Sequence, residues 1–102
     1  MKGPVIYYPL EEIQGKTLKS VKQSKELYLS MMEEIDTELH IELDFKDVDS
    51  VSKSWIENCL GRILKEQGEE FFGANIRLIN YNRNIGNAFK RELGDFIDKV
   101  EV

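Results

Sequence analysis

Residues 39–60 read LHIELDFKDVDSVSKSWIENCL. In the first part, Leu39, Ile41, Leu43 and Phe45 alternate with Glu38, His40, Glu42 and Asp44. A period of two puts the apolar side chains on one face of a strand and the polar ones on the other. A parallel strand covered on both faces would read as a continuous apolar run, so this sheet is expected to keep one wet face. Lys46 to Val51 form a polar loop, and the period then changes. Trp55, Ile56, Cys59, Leu60, Ile63 and Leu64 recur at helical spacing as a broad apolar stripe. Ser54 stands three residues before Glu57, the capping-box pattern, and Gly68 is a natural stop. The stretch is thus strand, short loop and amphipathic helix, the repeating unit of an α/β fold.

The flanking sequence extends the pattern. Pro4 and Pro9 bracket Val5, Ile6, Tyr7 and Tyr8, a short β-branched and aromatic run. A strand bounded by prolines belongs at a sheet edge, where a missing N–H is tolerated. Val21, Ser24, Tyr28, Met31 and Ile35 follow helical spacing, with Leu18, Leu29 and Met32 widening the stripe. Thr17 or Ser20 is the expected cap, and Ser20 with Gln23 fits the capping box. Asp36 and Thr37 end this helix. Ile76, Leu78 and Ile79 make a further core strand ending near Asn80, and Asn84 is placed to cap a last helix through Ile85, Phe89, Leu93, Phe96 and Val100. The order β-α-β-α-β-α predicts one α/β domain over residues 1–102. Its sheet has three or four mostly parallel strands, with helices mainly on one face.

Composition narrows the function. At 102 residues the chain is one domain, too short for a protein kinase, a full dinucleotide dehydrogenase or a (β/α)8 barrel. Its single cysteine excludes a disulfide framework and a four-Cys zinc site. No apolar run approaches a membrane span, and Met1 to Leu10 lack the order of a signal peptide, so a cytoplasmic protein is expected. Fourteen basic residues against 19 acidic ones leave a net charge of −5. Phosphate backbones and anionic lipid surfaces attract basic patches, so nucleic acid and membrane are not the expected partners.

The residues that resemble chemical motifs read more simply as structure. Gly15-Lys16-Thr17 mimics the end of a phosphate-binding P-loop, but the glycine required five residues earlier is Leu10. It reads as a turn before a capped helix. His40, the only histidine, alternates onto the polar strand face beside Glu38 and Glu42 and reads as a surface position rather than a metal ligand. Cys59 lies in the apolar helix stripe with no base or positive field to activate it. Asp44, Asp47 and Asp49 lack the glycine and closing Glu of a calcium loop and read as a solvated loop. No catalytic residue, metal or cofactor is expected, and the chain is read as a non-enzyme.

Leu43-Asp44-Phe45, then Val48, Val51, Ser52, Ser54 and an amphipathic helix, resemble the STAS domains of sulfate transporters and anti-sigma-factor antagonists. The closer resemblance is to the STAS-like family of small bacterial domains of unassigned function. Gly68, Glu69, Phe71, Phe72 and the strand from Ile76 to Asn80 fit the same pattern, over about residues 15–100. In the antagonists the loop after this strand reads roughly Asp-Ser-Ser-Gly, and a partner kinase phosphorylates the second serine. The resemblance places Ser52 at the Asp, Lys53 at the first Ser, Ser54 at the phosphoacceptor and Trp55 at the Gly. The acceptor is retained and its neighbours are not. Trp55 fills space that Gly leaves open to a partner or packs into the core, and Lys53 adds positive charge beside the acceptor.

A phosphate on Ser54 would add about −1.5 to −2 charge at a helix N-terminus, where the macrodipole favours anions. The simpler reading is that Ser54 is the N-cap and nothing more. The loops after the two core strands also bring Ser52, Lys53, Ser54 and Trp55 toward Asn80, Asn82 and Arg83. In open α/β sheets ligands bind at that edge. These residues are the expected rim for a protein partner, unless the asparagines are only turn and cap residues. The resemblance implies a separate histidine-kinase-like ATPase or an anti-sigma factor as that partner. The alternative is a domain sensing a nucleotide or an anion at the same edge.

Overall fold

The computed structural model describes residues 5–35, 40–94 and 97. Three parallel strands, β1 (Val5–Pro9), β3 (His40–Asp44) and β5 (Ile76–Ile79), pair in the order β1-β3-β5. The edge position of β1 suits Pro9, which pairs with Asp44 at the end of the ladder. Leu39, Glu38, Asp36 and Thr37 lie outside the described residues, as do Pro4, Phe96 and Val100.

Alternation in β3 resolves as expected for Ile41 and Leu43, which are buried, while His40 and Glu42 are half-buried. The covered face packs on the helices; the other carries Val5 and Tyr7, each 52% exposed, opposite His40 and Glu42. Asp44 departs from the pattern. It is only 7% exposed, a bonded residue and not part of a solvated loop.

A second, two-stranded parallel sheet escaped the sequence reading. β2 (Thr17–Leu18) pairs with β4 (Ser50–Val51), too short to show a period. Thr17 is therefore a strand residue. The cap of α2 (Val21–Glu34) is Ser20, whose hydroxyl accepts from Gln23 N at 3.1 Å. Between β1 and β2, Leu10–Gln14 form a one-turn helix, α1. Gly15 closes it at φ 99°, a left-handed position that glycine adopts without strain. Gly15-Lys16-Thr17 is thus a helix stop running into a strand. In α2 the buried face is Ser24, Leu27, Tyr28 and Met31; Leu29, expected to widen the stripe inward, is 62% exposed.

The single helix expected after the central strand is two. α3 (Lys53–Asn58) ends at Cys59, whose backbone leaves the helical region, and α4 (Leu60–Asn75) follows. Gly68, expected to stop the helix, instead leaves the helical region at φ 90° and kinks α4, which runs on to Asn75. The last helix, α5 (Arg83–Leu93), is capped by Asn82 and not by Asn84. Asn82 Oδ1 accepts from Ile85 N at 2.8 Å.

Phe45, immediately after β3, is the centre of the core. Its ring meets Trp55, Phe89 and Tyr81 edge to face, at centroid distances of 6.3, 5.3 and 6.5 Å. Such T-shaped pairs satisfy the ring quadrupoles and lock α3 and α5 against the end of the sheet. Among the described residues, no helix is long and apolar enough to cross a membrane.

Candidate functional site

Two polar clusters sit where the parallel strands end. The first is built on Asp44. Its Oδ2 accepts from the Tyr7 hydroxyl, and its Oδ1 accepts from Lys46 N at 2.9 Å and Asn80 Nδ2 at 3.0 Å. The bond to Lys46 is an Asx-turn, the local reason that an Asp stands at this strand end. Asn80 and Asp47 both take left-handed backbone, at φ 59° and 65°, which Asn and Asp tolerate better than other non-glycine residues.

Burial alone would raise the Asp44 pKa. The hydrogen bonds from Tyr7, Lys46 N and Asn80 outweigh it and hold the carboxyl below its ordinary value. In turn the Asp44 carboxylate, with partial desolvation, pushes the Tyr7 phenol up to about 12. Around this cluster Tyr7, Pro9, Glu11, Glu12, Asp44, Lys46 and Asp47 line an open cleft.

The second cluster begins α3. Ser52 to Ser54 follow β4 of the small sheet, not the central strand directly. Ser52 is the N-cap: its hydroxyl accepts from Trp55 N at 3.1 Å. Ser54, expected as the cap, is the second helical residue. Its half-buried hydroxyl lies 3.3 Å from Ser52 Oγ, and its carbonyl accepts from Asn58 Nδ2 at 2.8 Å. Lys53 is exposed.

Trp55 is fully buried, with Nε1 donating to Gln14 Oε1 at 2.9 Å, so it offers no surface to a partner and leaves the predicted rim. Asn82 is also structural. Besides capping α5, its Nδ2 donates to the Val48 and Asp49 carbonyls, at 3.3 and 3.1 Å, tying that loop to the helix. Asn80 belongs to the Asp44 cluster, and Arg83 is exposed at the start of α5.

Of the other candidates, His40 Nδ1 lies 2.9 Å from the Ala74 carbonyl oxygen. Cys59 is fully buried in the core, and burial pushes its thiol up.

Sequence reasoning missed Tyr7 as a site residue. Its contact with Asp44 depends on how β1 registers against β3, which no local pattern encodes.

The geometry separates the two serines in a measurable way. Ser52→Ala removes the cap and is expected to cost about 1 kcal/mol, within the 0.5–2 kcal/mol usual for such losses. Ser54→Ala is expected to cost less than about 0.5 kcal/mol, as for substitutions away from such features. Urea unfolding of the two variants tests this; equal losses would contradict the assignment of the cap.

A family model described as a STAS-like domain of unknown function (DUF4325) matches residues 23–85, more than half of the chain. The chain belongs to the STAS-like domain family. No curated protein and no solved structure matches it. The matched stretch of this STAS-like domain starts within α2 and reaches the first turn of α5. It holds Asp44, Asn80 and Ser52 to Ser54, whereas Tyr7 and the small β2 strand precede it.

Proposed function

We propose that this STAS-like domain is a non-enzymatic regulatory module. It docks a separate protein, of the histidine-kinase-like ATPase or anti-sigma-factor class, at the surface around Ser52, Lys53 and Ser54. Phosphorylation of Ser54 controls that docking. The observation that carries the reading is the division of labour at the start of α3: Ser52 supplies the cap, so the Ser54 hydroxyl is not committed to the backbone. Ser54 also occupies the position that the family resemblance makes the phosphoacceptor. A phosphate there adds about −1.5 to −2 charge and carries a shell of water that a docked partner must displace, so it weakens the complex.

The nucleotide or anion alternative fares worse at the strand ends. Glu11, Glu12, Asp44 and Asp47 face that cleft against Lys46 alone, which repels an anionic ligand.

The test measures partner affinity by calorimetry for wild type, Ser54→Ala and Ser54→Asp. Ser54→Ala is expected to bind as the wild type does, and Ser54→Asp about tenfold or more weakly. Equal affinity for all three would eliminate the switch.

A further inference from the structure

Residues 13–25 read IQGKTLKSVKQSK: four lysines and no acid, in a chain whose net charge is −5. Lys16, Lys19, Lys22 and Lys25 are all exposed. The fold adds a fifth. Thr17 and Leu18 pair with Ser50 and Val51, and Ser52 N donates to the Leu18 carbonyl at 2.8 Å, setting the Lys19 segment beside the Ser52–Lys53 segment. Farther on, Ser24 Oγ donates to the Trp55 carbonyl at 2.6 Å, so the first turns of α2 and α3 touch. Lys53 thereby joins the lysines that flank β2 and those on α2.

Exposed apolar groups accompany them. Val21 is 39% exposed between Lys19 and Lys22. Ile13 is 50% exposed on α1, which Gln14 Nε2 ties to α2 through the Gln23 carbonyl at 2.9 Å. Asp49, Glu26 and Glu57 border the lysines and are exposed.

We propose that Lys16, Lys19, Lys22, Lys25 and Lys53 form a docking surface for an acidic, partly apolar segment of the partner protein. This identifies the partner's chemistry and rests on the interaction-module reading above. Charge complementarity carries the choice of occupant. Lysines clustered on an otherwise acidic chain steer an acidic surface into one orientation, while the acidic remainder repels it elsewhere. Ile13 and Val21 supply the apolar contacts that a protein segment uses and a phosphate backbone does not. The five cations are lysines, with no arginine fork and no aromatic side chain among them. Nucleic-acid surfaces rely on those groups for bidentate and stacking contacts. A phosphate on Ser54 falls inside this surface and offsets about two of its five positive charges.

The test uses the full chain and a fluorescein-labelled peptide rich in Glu and Leu, followed by fluorescence polarisation. Wild type is expected to bind. The affinity should fall as ionic strength rises from about 0.01 to 0.15 M and the Debye length shrinks from about 30 to 8 Å. The triple variant Lys19→Glu, Lys22→Glu, Lys53→Glu is expected to bind at least tenfold more weakly. Circular dichroism should remain unchanged, because the three side chains are exposed.

No binding by wild type would overturn the proposal, as would equal binding by the triple variant. So would tighter binding of a single-stranded oligonucleotide, or a salt-sensitive dimer in sedimentation, which would make the occupant nucleic acid or a second copy. Ser54→Asp separates the two readings. If it binds the peptide as wild type does while the triple variant fails, the phosphorylation switch falls and the lysine surface stands.

Discussion

Trp55→Ala is expected to destabilise the domain by about 3–5 kcal/mol, the usual cost of emptying a large aromatic site in a core. The indole is fully buried, meets Phe45 edge to face, and hydrogen-bonds Gln14. Alanine would remove the ring that seats α3 on the sheet end. It would also leave Gln14 Oε1 without its donor, loosening α1 from α3. Domains of this size have total stabilities of only about 5–15 kcal/mol, so the loss is a large share of the whole. At roughly 4–8 °C per kcal/mol the melting temperature should fall by at least about 12 °C. Thermal unfolding followed by far-ultraviolet circular dichroism measures it without relying on the lost fluorophore. Trp55→Phe keeps much of the ring volume and should fall between alanine and wild type. A shift of less than about 2 °C for the alanine variant would mean that Trp55 is dispensable to the core and free to serve as a docking residue.

Asp44→Ala is expected to cost about 1–3 kcal/mol, because a carboxylate that accepts three hydrogen bonds at the strand end is removed. Tyr7 and Asn80 are exposed enough to rebind water, which keeps the loss below that of the tryptophan. The same group sets a pH dependence. The folded-state pKa of Asp44 is lowered, so its contribution is fully present above the unfolded value near 4 and is lost as pH falls through the folded value. Tyr7 behaves in the opposite sense. Its pKa is raised to about 12, so its contribution holds below the unfolded value near 10 and is lost as pH climbs toward 12. Urea midpoints measured from about pH 2.5 to 7 should fall at the acid end for wild type, and fall less steeply for Asp44→Ala. Parallel curves for the two proteins would show that Asp44 does not carry the acid limb. Tyr7→Phe should leave the acid limb in place but shift it upward, since the strongest bond holding Asp44 ionised is gone.

The sequence spoke most clearly where one element interacts with one face. The period-two run ending at Phe45 identified β3, and the prolines around Val5–Tyr8 identified an edge strand. Ser20 with Gln23 identified the start of α2. It misassigned caps where two candidates compete, choosing Ser54 over Ser52 and Asn84 over Asn82. In both cases the capping residue depends on where the chain enters the helix, which the side-chain types alone do not fix. It also missed β2 and β4, since two residues per strand show no period. Trp55 was legible in two ways, as the first residue of the apolar stripe and as part of the rim beside Ser54; the structure buries it fully, as the stripe implied.

Taken alone, the sequence determined an α/β fold with parallel strands, a wet sheet face, an interruption of the helical path at Gly68 and the STAS-like pattern from Leu43 onward. These follow from hydrophobic period, glycine and proline geometry, and the order of elements, all of them local properties. Only the tertiary structure decided which serine caps α3, that Asp44 is bonded to Tyr7 and Asn80, and that Lys53 joins the lysines of residues 16–25. Each of these depends on strand register and helix docking, which bring together residues tens of positions apart.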